Sequence, residues 1–248
     1  MSLFKYKFRP PHMGKYPMEQ VKRVDEPTTR IDKERVPRVP IRGAFFTRPN
    51  FGDLGERVKS ERQRFMAKSP LGRAMGESLA ANIPLQDGPV AEDIAPGTDD
   101  PEEMMKHIKS MAYFLDIDMV GICEIPEYAW YSHDSDGNEV TPDHKYAIVM
   151  IIDQGYETME GASGDDWISG PQSYRAYLRG QEVGNVVANY IRQLGYGARC
   201  HSSAKGQVLQ IPLMLLAGLG ELSRIGELVL NPFLGPRMKT AVVTTNLP

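Results

Sequence analysis

The chain has 248 residues, 41% of them hydrophobic and 25% charged, with a formal net charge of −3, which suits a globular protein of one large domain or two small ones. Two cysteines, Cys123 and Cys200, are too few for a disulfide scaffold or a four-cysteine metal or cluster site. No run reaches the roughly 18 apolar residues of a membrane span, and the N-terminus carries neither an apolar h-region nor a twin-arginine signal, so a cytoplasmic protein is expected.

Up to about residue 50 the chain is rich in proline and charge, and RVPRVPIRG reads as extended. Lys and Arg crowd roughly the first seventy residues while the remainder is acidic, the pattern of a solvated basic arm lying on an acidic body. A nucleic-acid or membrane contact is the alternative for that arm. GDLGERVKSERQRFMAKSPLGRAMGESLA has helical composition interrupted at Pro70, and QDGPVAEDIAPGTDDPEE is a loop. A helix then opens with Asp100 as N-cap and Pro101 at its first position, followed by Met104, Ile108, Met111 and Leu115 at helical spacing. MVGICEI and YAIVMIID read as buried strands, separated by a polar loop with an Asp-Gly turn in DSDGNEV.

From Ser173 to Leu194 the spacing predicts the best-defined helix, with Val183, Val186, Val187, Tyr190, Ile191 and Leu194 as its apolar stripe and Gly195 as its stop. YGARCHSS reads as a short strand entering a polar loop. LQIPLMLLAGLGELSRIGELVL reads as an apolar helical segment broken at Pro212 and at its glycines. NPFLGPRMKTAVVTTNLP is a turn-rich loop feeding a last strand. Helices alternating with short apolar strands predict an α/β or α+β sandwich.

Familiar site patterns are missing. His133, His144 and His201 sit in polar stretches without zinc spacing, and DSDGNEV departs from a calcium loop. AGLGELSRIG follows a helix-like run instead of a strand, so it fails the dinucleotide fingerprint, and neither a phosphate loop nor a nucleophile elbow occurs. What remains is three small-residue loops, CHSSAKGQ, AGLGELSRIG and NPFLGPRMK. Their composition suits backbone approach to a large flat ligand and suits tight helix packing equally. In PQSYRAYLRGQ, Tyr174 and Tyr177 share one helical face, where they either pack or present a proton donor.

SYRAYLRGQEVGNVVANYIRQLGYGARCHSS and IPLMLLAGLGELSRIGELVLNPFLGPRMKTAVVTTNLP resemble the corrinoid and iron–sulfur reductive dehalogenases. They resemble, more distantly, the epoxyqueuosine reductases of the same architecture. The specific part is Ala217-Gly218-Leu219-Gly220-Glu221, Arg224-Ile225-Gly226 and Phe233-Leu234-Gly235-Pro236-Arg237, and the likeness is dense from Glu103 onward. It implies an α/β (α+β), nitroreductase-like corrinoid-binding sandwich with an extended N-terminal arm. Residues 1–100 would form the arm and wrapping helices, and residues 101–248 the corrinoid-binding domain.

The implied cofactor is base-off cobalamin without a histidine ligand, in keeping with the lack of an Asp-x-His-x-x-Gly motif. The resemblance points to His201, Ser202, Ser203, Lys205, Gly218, Gly220, Gly235 and Arg237 as cofactor-binding, and to no side-chain metal site. It implies removal of halide from a halogenated aromatic compound. Tyr177 would be the proton donor, Lys239 the cation that tunes it, and Tyr174 part of the substrate pocket. The family's two 4Fe–4S clusters are bound by cysteine runs after the segment equivalent to AVVTTNLP, and two scattered cysteines cannot ligate one. The expectation is therefore a portion of a longer enzyme, or a stand-alone relic, with electrons arriving through an iron–sulfur domain. Expected partners are the halogenated aromatic substrate and that donor, with neither nucleic acid nor membrane favoured and a homodimer as candidate assembly. Two rival readings are a corrinoid-binding or corrinoid-processing module without dehalogenation, and an epoxyqueuosine reductase-like enzyme acting on tRNA.

Overall fold

A computed structural model describes residues 14–248 apart from 23, 26 and 203. Prolines keep the described part of the arm from forming long elements. Single 3-10 turns at Met18–Gln20, Ile41–Gly43 and Arg48–Phe51 are joined by extended backbone. This arm is laid on the body by hydrogen bonds. Ser132 N–H donates to Val39 O and Ile41 N–H to His133 O, while the Arg38 guanidinium donates to the Tyr131 and Val140 carbonyls.

Two helices follow, α1 (Glu56–Ala67) and α2 (Pro70–Ala81). Ser69 separates them by capping α2, its hydroxyl accepting the Gly72 N–H at 3.0 Å with Pro70 at the first position. The helix expected after Asp100 is α3 (Pro101–Phe114), and the Asp100 carboxylate accepts the N–H groups of Glu102 and Glu103.

The remaining elements are β1 (Met119–Glu124), β2 (Tyr146–Asp153), α4 (Tyr156–Gly161), α5 (Ser169–Gln193), β3 (Ala198–His201), α6 (Gln210–Leu216), β4 (Glu221–Leu222), β5 (Val229–Leu230) and β6 (Met238–Thr245). One antiparallel sheet has the order β1-β2-β6-β3, and β4 and β5 form a separate hairpin. The register pairs Ile152 with Lys239 and His201 with Val242, so β2 ends where β6 begins and β3 stops midway along it. One face of the sheet packs Ile148, Met150, Ile152, Ala241 and Val243 against α5 and α3. The other packs Val149, Ile151 and Val242 against Trp130, α6 and the hairpin. The architecture is α+β, with the sheet sandwiched between helical layers. Among the described residues no helix is long and apolar enough to cross a membrane.

Four local readings are corrected. α5 begins at Ser169, four residues before the expected start, because the Asp166 carboxylate accepts the N–H groups of Ile168 and Ser169 and Pro171 sits harmlessly in the first turn. Its buried stripe is Ala176, Gly180, Val183, Gly184, Val187, Ala188 and Ile191, whereas Val186 is 47% exposed. Pro212 does not break α6, since it lies in the first turn where N–H groups lack helical partners anyway. The residues beyond Gly220 form the β4–β5 hairpin, turned at Gly226 with φ 75°, instead of a second piece of helix.

Candidate active site

The end of the sheet where β6 begins collects several loops and the first turns of α5. A cavity of about 500 Å³ opens there. α5 lines it with Gly170, Ser173, Tyr174 and Tyr177, which follow the three-to-four-residue repeat of one helical face. α1 adds Arg62 and Phe65, α2 adds Gly76, Leu79 and Ala80, and Phe46, Ile83 and Ala204 come from loops.

Lys239 enters from β6. Strand alternation turns it to the α5 side, because its neighbour Met238 packs on the opposite face and Thr240 bonds Gln210 of α6 there. The Lys239 Nζ lies 5.2 Å from the centroid of the Tyr177 ring. Among the described residues no group hydrogen-bonds the hydroxyl of Tyr174 or Tyr177, and no carboxylate pairs with Lys239. Burial raises the Tyr174 phenol above its ordinary acidity range, with the Arg62 charge pulling the other way.

The sequence-predicted residues do not all meet in one place. Tyr174, Tyr177 and Lys239 meet in this cavity. The loop after β3 adjoins it through Ala204, and its shape is fixed from behind. Gln86, fully buried, donates its side-chain amide to Ser202 Oγ at 3.0 Å and to Ala204 O at 2.9 Å. Nothing in NIPLQDG distinguishes Gln86 as a brace, so sequence reasoning missed it. Lys205 adopts a left-handed backbone (φ 57°) and donates to Asp136 at 2.6 Å. Ser203 lies outside the described residues.

His201 is fully buried and faces the other way, edge-on to Trp130. Its Nδ1 accepts the Gln207 N–H, so its proton sits on Nε2, which donates to Thr244 Oγ1 at 2.8 Å. Thr244 has one proton left and gives it to His144 Nδ1 at 2.7 Å. Both His201 nitrogens are therefore committed, and burial holds its pKa far below the ordinary histidine value. A direct His201 contact to a ligand does not fit this arrangement.

Gly218 and Gly220 line a second cavity of about 450 Å³ between the arm at Val21 and Lys22 and the β4–β5 hairpin. A Cβ on Gly220 would stand 2.6 Å from Leu230 O, so close packing requires that glycine. Gly235 closes a turn on Asn231 with φ 58°. Arg237 is anchored by its Nε to Asp153 Oδ1 at 3.0 Å, and Tyr16 of the arm donates to the same carboxylate at 2.6 Å. Burial alone would raise the Asp153 carboxyl, but hydrogen bonds from Arg237, Tyr16 and the Gly155 N–H hold it below the usual carboxylate range.

The solved catabolic reductive dehalogenase NpRdhA superposes on 99% of this chain with a TM-score of 0.92 and 48% identity. The chain is a relative of the reductive dehalogenases. It spans 36% of NpRdhA's length. The same NpRdhA in complex with 3-bromo-4-hydroxybenzoic acid aligns equally well, at a TM-score of 0.92. A reductive dehalogenase structure described in terms of B12-dependent dehalogenation aligns at 0.91 with 47% identity. Tetrachloroethene reductive dehalogenases of Dehalobacter restrictus and Desulfitobacterium hafniense are 34% and 33% identical over 103 residues, which is 42% of this chain and 18% of theirs. No family model matches.

Proposed function

We propose that this chain forms the corrinoid- and substrate-binding part of a reductive dehalogenase that removes halide from a phenol-type aromatic. The observation that carries the proposal is the meeting of Tyr177 and Lys239 in one ring-sized cavity, the two residues coming from elements that are distant in sequence. The halophenol-type ligand bound by the NpRdhA relative supports the substrate class.

Replacing a carbon–halogen bond by carbon–hydrogen consumes two electrons and one proton and releases halide. Cobalamin, when bound, supplies the electrons. Tyr177 Oη supplies the proton to the carbon that loses halide, and the Lys239 ammonium stabilises the phenolate left behind. Phe65, Leu79 and Ile83 would give the ring an apolar wall.

The chain's donor set fits an amide-fringed macrocycle. Both ring nitrogens of His201 are engaged, so His201 offers no imidazole to a corrinoid in this arrangement. The braced loop of Ser202, Ala204 and Lys205 and the Gly235–Arg237 turn would hold the corrinoid, with residues 101–248 as the corrinoid-binding domain. The cavity itself draws Arg62, Phe65, Gly76 and Leu79 from the segment before residue 101. Electrons would arrive through iron–sulfur clusters, in a cytoplasmic enzyme.

The test uses protein supplied with hydroxocobalamin and a chemical reductant. Tyr177→Phe is expected to lower bromide release from 3-bromo-4-hydroxybenzoate by about 10²- to 10⁴-fold while the bound-cobalamin spectrum stays unchanged. Equal bromide release from variant and parent would end the proton-donor assignment. No spectral change on mixing with hydroxocobalamin would end the corrinoid reading.

A further inference from the structure

Just below Tyr177, α5 is held from two sides. Toward the sheet, Gly180 lets it close down. A Cβ there would stand 2.8 Å from Ile152 Cδ1 and 3.1 Å from the Ala241 Cβ, and Ile152 is the β2 residue paired with Lys239. Toward α2 the contact is polar. Gln181 is fully buried and donates its side-chain amide to Leu79 O at 3.3 Å. It follows Tyr177 by four residues, so the two share one face of α5, and Leu79 lines the cavity that Tyr177 enters.

Two more polar side chains continue the row along α5. Asn185 donates to Asn82 O at 3.1 Å, and Arg192 donates to Gln86 O at 3.4 Å and Leu85 O at 3.5 Å. The stretch 76–86 is thereby hung along α5 on three ties, and its Gly76, Leu79, Ala80 and Ile83 form one wall of the cavity. Only the Gln181 tie lies at the cavity end of the row.

Packing alone does not call for glutamine at this position. Its Oε1 is buried without a partner among the described residues, and an apolar side chain of that size would fill the space without burying a lone oxygen. Nor does Leu79 O depend on it, since the Asn82 N–H reaches the same carbonyl at 3.3 Å. Gln181 does not line the cavity itself; what its amide does is fasten α2 to α5 beside Tyr177.

We propose that Gln181 is a positioning residue for the substrate: its tie to Leu79 sets how far the α2 wall stands from Tyr177, and so how closely the aromatic ring is held. This deepens the dehalogenase reading and rests on it. The wall touches the ring and not the carbon–halogen bond, so it serves ground state and transition state alike.

Calorimetric titration with 2-bromophenol compares the parent with Gln181→Met and with Asn185→Leu, a similar change one turn lower. A gap of about 0.5–1 Å at a contact forfeits a quarter to a half of its attraction, so Gln181→Met is expected to bind about fivefold or more weakly than the parent. Asn185→Leu should stay within about twofold. With hydroxocobalamin and a chemical reductant, bromide release by Gln181→Met should show KM raised by a similar factor and kcat within about twofold, the mark of lost uniform binding. A purely structural role would instead lower the active fraction, and with it kcat, at unchanged KM. The melting temperature of Gln181→Met should stay near the parent's, because a hydrogen bond and an unpaired buried oxygen are removed together. Gln181→Leu is the second variant and should act in the same direction. Unchanged affinity and KM in a folded Gln181 variant, a fall in kcat alone, unfolding of both variants, or equal weakening in Asn185→Leu would overturn the role of Gln181 alone. Failure of the parent to bind 2-bromophenol or to release bromide from it would overturn the dehalogenase reading, and the role of Gln181 with it.

Discussion

At Gly184, α5 packs on the sheet with no room for a side chain. A Cβ there would lie 2.5 Å from Cys200 Sγ, against the roughly 3.5–4.0 Å that non-bonded heavy atoms prefer, so helix and strand must part by about 1 Å. Cys200 cannot swing aside, because it is fully buried, and burial pushes its thiol up to about 12, which keeps it a neutral group. Overpacking of this kind costs about 1–3 kcal/mol, and an overlap this large belongs near the top of the range. Replacing a mid-helix glycine by alanine returns about 1 kcal/mol of helix propensity. Gly184→Ala should therefore destabilise the protein by about 2 kcal/mol.

Cys200→Ala removes the obstructing sulfur. In that background Gly184→Ala should stabilise by up to about 1 kcal/mol, which makes the coupling in the double-mutant cycle about 3 kcal/mol. Denaturant unfolding of the four proteins measures it. The site supplies a second readout, since Tyr177 lies seven residues up the same helix, about 10 Å along its axis. Lifting α5 should draw Tyr177 away from Lys239, so ligand binding should fall in Gly184→Ala and recover in the double variant. Equal destabilisation by Gly184→Ala in both backgrounds would refute the reasoning.

Two further outcomes follow from buried polar groups. His201 stays neutral in the folded protein well below its ordinary pKa, whereas the unfolded chain takes up that proton below about pH 6.5. The contribution is thus complete at neutral pH and is lost as pH falls, by up to about 1.4 kcal/mol per unit once the unfolded histidine is charged. The difference in unfolding free energy between parent and His201→Gln should therefore narrow from pH 7 to pH 5, and a constant difference would contradict the assignment. Tyr16→Phe removes a hydrogen bond to the Asp153 carboxylate, which should cost about 1.5–3 kcal/mol. It should also speed proteolytic cleavage in the arm, and an unchanged midpoint and cleavage rate would show that Tyr16 does not clasp it.

What was legible in the sequence was local. Asp100 and Pro101 announce α3 because a cap and its helix are neighbours in the chain. The strands β1 and β2 show as apolar runs because both of their faces are covered. Ser173 concealed the true start of α5, since the cap that decides it is Asp166, in a stretch that reads as loop. The segment Gly220–Leu230 carries both helical and alternating patterns, and tertiary contact with the arm and α6 chooses the hairpin. At the site, Tyr177 and Lys239 could be named through the family's motifs. Gln181 and Gln86 could not, because a buried tie and a buried brace are defined by what surrounds them in space.

The strand order has a consequence for how the protein is made. β6 comes after the other described strands in the chain, yet it lies between β2 and β3. Until residues 238–245 leave the ribosome, β2 presents a bare edge and β3 has no neighbour. At about 5–20 residues per second, the chain from β2 onward waits several seconds in that state. Sheet closure and the arrival of Lys239 beside Tyr177 are then one event, so an incompletely synthesised chain exposes a sticky edge and lacks the Tyr177–Lys239 pair.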